Sequence, residues 1–262
     1  MDIIETENIQ HRKKVPFARS FPTVITIAAF CFGMTSIRFT LSHRWEMAVI
    51  CILVSAVLDS FDGRVARMLG QSSQFGAELD SLSDLVCFGV APAFLLFFRS
   101  VCTLGNVGWG ISMVFTVCCA LRLARFNAIQ ILNEPKPEWQ KKYFTGIPAP
   151  AGALIALFPL ILHFSTGKTY FLNEKIVATF LLTSGILMVS TVKSISSKMI
   201  EIKNGLASPE LLFISFVIIC LITELWLTLT VLIALYIIII PFGAYKYSKT
   251  AQQESVILKQ AS

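Results

Sequence analysis

Carboxylates crowd one short stretch of an otherwise apolar chain. Four of the five aspartates of the sequence lie within 26 residues: Asp59, Asp62, Asp80 and Asp84. Glu78 adds a fifth negative charge, and only Arg64 and Arg67 offset these groups locally, although the whole chain has a formal net charge of +6. Two carboxylates about 5 Å apart at an effective dielectric constant of about 20 repel by roughly 3 kcal/mol. Such a cluster must take up protons or share a cation, and we favour the cation.

Helical spacing predicts that these aspartates meet. Asp59 and Asp62 share one face of a helix, and Asp80 and Asp84 share one face of the next. The polar run at residues 70–73 supplies a turn between the two helices, so they can form a hairpin whose acidic faces meet. All candidate ligands are oxygens, with no histidine or cysteine beside them. The expected ion is therefore hard, namely Mg²⁺, Mn²⁺ or Ca²⁺.

Two glycines accompany the carboxylates on the same helix faces. Gly63 and Gly76 each cost a helix about 1 kcal/mol relative to alanine, so their positions indicate a need for space beside the acids. A flat or bulky ligand could approach the backbone there, and Arg67, one turn beyond Gly63, is placed to contact a phosphate. The alternative is that the glycines only permit close helix packing and that each acid pairs with a basic residue.

The composition places this cluster in a membrane protein. The 262 residues are 55% hydrophobic and 15% charged, with a mean hydropathy of +0.71, which is too apolar for a soluble domain. We predict an all-α, polytopic integral membrane helical bundle of about eight transmembrane helices, forming one domain over residues 1–262. The predicted spans lie near residues 21–40, 46–60, 84–98, 107–124, 148–165, 176–192, 210–227 and 229–245. Residues 1–20 are predicted to form a cytoplasmic or interfacial segment, and residues 246–262 a cytoplasmic tail.

The basic residues indicate the orientation of the chain. If the N-terminus is cytoplasmic, 17 of the 22 lysines and arginines fall on the cytoplasmic side and five on the other. This bias predicts a multi-pass protein with both termini in the cytoplasm and the aspartates at the cytoplasmic ends of their helices. The positive net charge then reflects membrane orientation, and no nucleic-acid partner is expected.

The acidic pattern is similar to a known signature. The spacing D-x-x-D-G-x-x-A-R-x8-G-x3-D-x3-D, from Asp59 to Asp84, resembles that of the CDP-alcohol phosphatidyltransferase family. The resemblance implies an integral membrane enzyme with a six-helix catalytic core that moves a phosphatidyl group from a CDP-linked lipid to a small alcohol and releases CMP. It further implies that the protein is a homodimer. It also implies that the four aspartates hold two divalent ions, Mg²⁺ or Mn²⁺, and that Asp84 acts as the general base. The implied substrate-binding positions within the signature are Gly63, Ala66, Arg67 and Gly76.

Three neighbouring segments resemble one branch of that family. DSLSDLVCFGVAPA (80–93), LRLARFN (121–127) and FTGIPAPAG (144–152) are similar to the phosphatidylserine synthase branch, which implies CDP-diacylglycerol and L-serine as substrates. Serine carries a carboxylate, and Arg122, Arg125 and Asn127 are the residues we expect to bind it. Both arginines could instead be ordinary cytoplasmic anchors. Cys87 and Thr23 depart from the serine and asparagine expected at their positions.

Other functions stay open at this point. The acidic signature alone does not separate serine from glycerol 3-phosphate or inositol as the acceptor. Prenyl transfer also uses aspartates, metal and pyrophosphate, but it would need a second acidic motif, and no aspartate follows Asp84. A cation-coupled transporter would place its acids near the membrane midplane and show repeated halves, whereas these acids lie at one helix end without a second copy.

Overall fold

Helices make up nearly all of the structure. The computed structural model describes residues 21–68, 74–132, 143–190, 193–195 and 209–241. Its α-helices are α1 (Phe21–Leu41), α2 (Trp45–Met68), α3 (Gln74–Asp84), α4 (Ala91–Arg99), α5 (Asn106–Leu132), α6 (Ala149–Thr166), α7 (Glu174–Val189), α8 (Pro209–Thr223) and α9 (Leu225–Pro241). The predicted segments at 1–20 and 246–262, and the predicted turn at 70–73, lie outside the described residues.

Five short elements complete the described fold. A π-helical turn (Leu85–Val90) joins α3 to α4 without a break, and 3₁₀ turns span Val101–Leu104 and Thr169–Leu172. Strands β1 (Tyr143–Thr145) and β2 (Lys193–Ile195) pair antiparallel, with Phe144 opposite Ser194. This two-stranded ribbon is a small departure from the all-helical prediction, and it ties the chain before α6 to the chain after α7.

The helices fit a membrane protein. Within the described ranges, four continuous helical stretches are long and apolar enough to cross a bilayer: Pro22–Leu41, Phe75–Arg99, Asn106–Ile129 and Ala149–Thr166. Many large apolar side chains stay exposed on the outer faces of α1, α5 and α9, as expected where lipid takes the place of water. The number of crossings beyond these four and the extent of a six-helix core remain predictions.

The core lies where the π-helical turn meets the longer helices. Phe88 of that turn is buried, and it belongs to one apolar cluster with Ile52 of α2, Phe115 of α5 and Leu157 of α6. Helix α1 packs along α2, while α5 and α6 both pack against α7. The turn therefore sits in the middle of the bundle, directly after the helix that carries Asp84.

The glycine and proline cluster before α6 starts that helix. Pro148 is its N-cap and Pro150 lies in its first turn, which suits a residue without an N–H donor. Gly146 has φ +79°, and a side chain there would also lie 2.6 Å from the carbonyl oxygen of Met188. The structure therefore shows that this segment forms the start of α6.

Helix α1 and the π-helical turn approach each other closely at Gly33. A Cβ on Gly33 would lie 2.5 Å from the Cys87 sulfur and 3.2 Å from its Cα, so the backbone as well as the side chain would have to move. We expect Gly33→Ala to destabilise the protein by about 1–3 kcal/mol through overpacking. Thermal unfolding of the purified protein in detergent measures this.

Gly110 of α5 provides the matched control for that substitution. A Cβ there meets nothing within 4 Å, so Gly110→Ala should leave the melting temperature unchanged or raise it. Equal melting temperatures for Gly33→Ala and the unmodified protein would contradict the packing described for α1.

Candidate active site

Three carboxylates converge where the end of α2 meets α3. Asp59, Asp62 and Asp80 each offer an oxygen, and these oxygens all lie within 4.8 Å of one another. Opposite ligands of a divalent ion bound at about 2.0–2.6 Å are about 4–5 Å apart, so this set has the dimensions to hold one hard cation. Asp62 is only 5% exposed, and the other two are half-buried. Buried carboxylates at this separation either take up protons or share a cation.

Asp84 joins the same cluster through Asp59. The two side chains lie within hydrogen-bonding reach of each other, and the guanidinium of Arg122 interacts electrostatically with both. Two ionised carboxylates have no proton to donate. Their contact therefore requires either a proton shared between them or a cation bound by both. One turn of α3 separates Asp80 from Asp84, which explains how one helix supplies a ligand and a second acid to the same place.

A threonine of α1 holds one of the carboxylates. Thr26 Oγ1 donates to Asp62 Oδ2 at 2.9 Å, and both residues are only 5% exposed. The buried Ser83 of α3 donates to the Thr26 carbonyl oxygen at 3.4 Å. Sequence reasoning missed both residues, because a single hydroxyl in an apolar helix has no spacing pattern that identifies its partner. The only available signal was the presence of a polar residue within the apolar helix α1.

Asn127 of α5 lies against α3 beside the acids. Its Nδ2 donates to Ser81 Oγ at 2.8 Å, and Ser81 Oγ lies 3.0 Å from the Ala77 carbonyl oxygen, to which it can donate in turn. Ser81 directly follows Asp80 in the chain. The hydrogen bond therefore holds α5 against the helix that carries two of the four aspartates.

The two arginines expected to bind substrate occupy different surroundings. Arg122 is half-buried beside Asp59 and Asp84. Arg125 is exposed, and its Nη1 donates to the carbonyl oxygen of Val189 at the end of α7, at 3.3 Å. One arginine thus belongs to the acidic cluster, whereas the other contacts the C-terminal end of a neighbouring helix, where a cation is favourable.

One of the two glycines borders open space. Gly63 is exposed, and a Cβ built on it meets nothing within 4 Å, so a ligand can reach the backbone there. Gly76 lies half-buried in the first turns of α3. Ala66 and Arg67 belong to the last turn of α2, and their side chains lie outside the described part of the structure.

Comparisons with known proteins agree with this geometry. The family model described as CDP-alcohol phosphatidyltransferase matches residues 19–192, which is more than half of the chain and includes every residue of the acidic cluster. Three relatives are each named CDP-diacylglycerol–serine O-phosphatidyltransferase. That of Mycobacterium leprae is 34% identical over 86% of this chain and 74% of its own length. That of Helicobacter pylori is 35% identical over 75% of this chain and 81% of its own length. That of Methanocaldococcus jannaschii is 41% identical over 54% of this chain and 60% of its own length.

The matched region extends from the beginning of α1 to the end of α7, so the helices that supply Thr26, the four aspartates and Arg122 all lie inside it. A chance match to the acidic signature alone would not extend over these helices. The chain therefore belongs to the CDP-alcohol phosphatidyltransferase family.

Proposed function

We propose that this protein transfers the phosphatidyl group of CDP-diacylglycerol to the hydroxyl group of L-serine, giving phosphatidylserine and CMP. The observation that carries the proposal is the convergence of Asp59, Asp62 and Asp80 at one helix end, within a chain whose relatives are named for this reaction. The family resemblance of the sequence and the convergence of these carboxylates both support a pyrophosphate-cleaving site.

The carboxylates would hold the divalent metal. Asp59, Asp62 and Asp80 suit one ion by their mutual distances, and we assign Asp80 and Asp84 to a second. Oxygen ligands alone favour Mg²⁺ or Mn²⁺ over softer metals. Bound there, the metal would neutralise negative charge on the substrate pyrophosphate and on departing CMP.

The protein's own groups would perform the remaining steps. Asp84 accepts the proton of the serine hydroxyl while the serine oxygen attacks the phosphorus that carries diacylglycerol. A new P–O bond to serine forms, the P–O bond to CMP breaks, and CMP leaves with the bonding electron pair. We assign the serine carboxylate to Arg122, which lies beside Asp84. Arg125, Asn127 and Arg67 remain the further candidates for substrate contacts.

The membrane explains where the site lies along the helices. Asp59 and Asp62 lie in the second half of α2, and Asp80 and Asp84 lie in the first half of the Phe75–Arg99 helix. We infer from this that the cluster lies toward one membrane surface. A lipid headgroup is found at that depth, and the acyl chains can stay in the bilayer. We place this end of the helices in the cytoplasm, where serine is available, with both termini on the same side and a homodimer as the assembly.

A choice of acceptors tests the proposed reaction. Purified protein would receive CDP-diacylglycerol with serine, inositol or glycerol 3-phosphate in turn, and mass spectrometry would identify the lipid product. We expect phosphatidylserine, with one CMP released for each lipid formed. Product formation with inositol or glycerol 3-phosphate in preference to serine would assign the chain to another acceptor.

The hydroxyl of Thr26 should tune metal binding. Thr26→Val keeps the shape of the side chain but removes the donor to Asp62, and loss of such a supporting hydrogen bond typically costs about 10- to 100-fold in metal affinity. We expect the Mg²⁺ or Mn²⁺ concentration for half-maximal rate to rise about tenfold or more, with a smaller change at saturating metal. Thr26→Ser should restore the original requirement. An unaltered metal requirement in Thr26→Val would show that this hydroxyl does not position Asp62.

A further inference from the structure

A polar cavity lies at the opposite end of α2 from the acids. Its volume is about 520 Å³, and the residues that line it come from the α1–α2 turn, the end of α4 and the end of α6. Trp45 lines this cavity, and 14 residues of α2 separate it from Asp59, about 21 Å at 1.5 Å per residue. The cavity is therefore separate from the carboxylate cluster.

The lining of this cavity is positively charged. Arg44 and Arg99 contribute two guanidinium groups, His43 and His163 contribute two imidazoles, and Glu46 contributes the single carboxylate. Arg44 and Arg99 are two of only five basic residues that the sequence places on this side of the membrane. Arginines that only anchor helix ends are expected to be scattered. These two instead line one cavity, on a side that is otherwise poor in positive charge.

One donor of Arg99, a residue that lines this cavity, is left without a partner. Its Nε is buried and has no hydrogen-bond partner among the residues that the structure describes. Buried polar atoms are rarely left in this state, because an unmade hydrogen bond costs about 1–3 kcal/mol. The guanidinium carbon lies 5.6 Å from the centre of the Trp45 ring, which orients the group. A guanidinium held in this way offers paired N–H donors of the kind that bind phosphate oxygens.

The turn between α1 and α2 holds Arg44 in place. The backbone N–H groups of His43 and Arg44 donate to the carbonyl oxygens of Thr40 and Phe39, at 3.0 and 2.9 Å. His43 has φ +57°, so this is a Schellman-type helix end with a non-glycine residue in the left-handed region. The Arg44 guanidinium then lies over the Phe39 ring at 5.2 Å. A strained backbone and two ring contacts thus fix both arginines at the same cavity.

We propose that this cavity binds the phosphate group of an anionic ligand, and the surroundings favour a phospholipid headgroup. Trp45 lines the cavity at a helix end, the depth at which tryptophan meets lipid headgroups. Two guanidinium groups against one carboxylate leave a net positive charge for an anion. Inorganic phosphate has the same recognition chemistry, so it is a separate arm of the test.

Binding of short-chain ligands tests the proposal. The purified protein, in a neutral detergent with EDTA, would be titrated with dihexanoyl-phosphatidylglycerol, with inorganic phosphate and with uncharged dihexanoylglycerol, and binding would be followed by calorimetry and native mass spectrometry. We expect one saturable site for the anionic lipid and much weaker binding of dihexanoylglycerol. Binding of inorganic phosphate at the same arginines, without the lipid, would support the phosphate site and identify its ligand as the free anion.

Matched variants locate the site. Arg99→Gln and Arg44→Gln should each weaken binding of the anionic lipid about tenfold or more, because each substitution removes charged hydrogen bonds. Arg38→Gln is the control, since Arg38 is an exposed arginine of α1 outside the cavity lining. Arg44 is exposed, so its variant provides a test even if Arg99→Gln fails to fold.

Two further results separate this cavity from the carboxylate cluster. Asp80→Asn should bind the anionic lipid as the unmodified protein does, and Arg44→Gln should retain its transferase rate at saturating substrates within about twofold. Loss of lipid binding in Asp80→Asn, or unchanged binding in both arginine variants, would overturn the proposal. Dihexanoylglycerol binding as tightly as the anionic lipid would also overturn it, because the acyl chains and not the phosphate would then be recognised.

Discussion

Asp80→Asn should lower the rate of CMP release from CDP-diacylglycerol and serine by about a thousandfold. The substitution preserves the size of the side chain but removes a charge from the three carboxylates whose oxygens lie within 4.8 Å. A metal ion contributes several kcal/mol to stabilising charge in such a transfer, and about 4 kcal/mol corresponds to this change in rate. The measurement is the initial rate of CMP release over a range of Mg²⁺ and Mn²⁺ concentrations.

Glu78→Gln is the control for this experiment. Glu78 is an exposed acid of the same helix, so its substitution makes the same change in charge and hydrogen-bonding capacity two residues away. We expect its rate to stay within about twofold of the unmodified protein. A normal rate for Asp80→Asn at ordinary metal concentrations would refute the metal role of this carboxylate.

Asp84→Asn should lower turnover strongly while leaving CDP-diacylglycerol binding largely intact. An amide cannot accept the serine proton at neutral pH, and loss of a positioned general base costs about 10²- to 10⁴-fold in rate. Asp84 contacts Asp59 but lies outside the group of three carboxylates with mutual separations below 4.8 Å, so metal binding by those three can persist. Single-turnover rates with serine measure the chemical step. Native mass spectrometry measures the binding of CDP-diacylglycerol directly, and the two measurements together separate the two effects.

The outcomes for Asp84→Asn distinguish its possible roles. Loss of both turnover and lipid binding would make Asp84 chiefly a metal ligand. Unchanged turnover would refute its assignment as the base. Glu78→Gln again serves as the matched control, because it lies on the same helix and should alter neither quantity.

Regular spacing made part of the site predictable. The three- and four-residue intervals among Asp59, Asp62, Asp80 and Asp84 place each pair on one helix face whatever the rest of the fold does. The structure brings three of these carboxylates together and joins the fourth to them. The apolar runs likewise predicted a helical membrane protein, and the helices lie close to the predicted positions.

Contacts between distant parts of the chain were beyond prediction. Thr26 and Asp62 are 36 residues apart and Ser81 and Asn127 are 46 apart, and nothing in the intervals between them specifies these hydrogen bonds. From the sequence, Arg122 and Arg125 had the same predicted roles. Only the packing of α5 directs the first toward the acids and leaves the second at the end of α7.

The amino-acid order of this protein thus determined its membrane class and the acidic faces of two helices, because hydropathy and helical periodicity are local properties. The tertiary structure decided which hydroxyl groups and cations support those acids, and it formed the arginine-lined cavity from three separate helix ends. These features arise from the packing of whole helices, in which many weak apolar contacts set the position of each polar group.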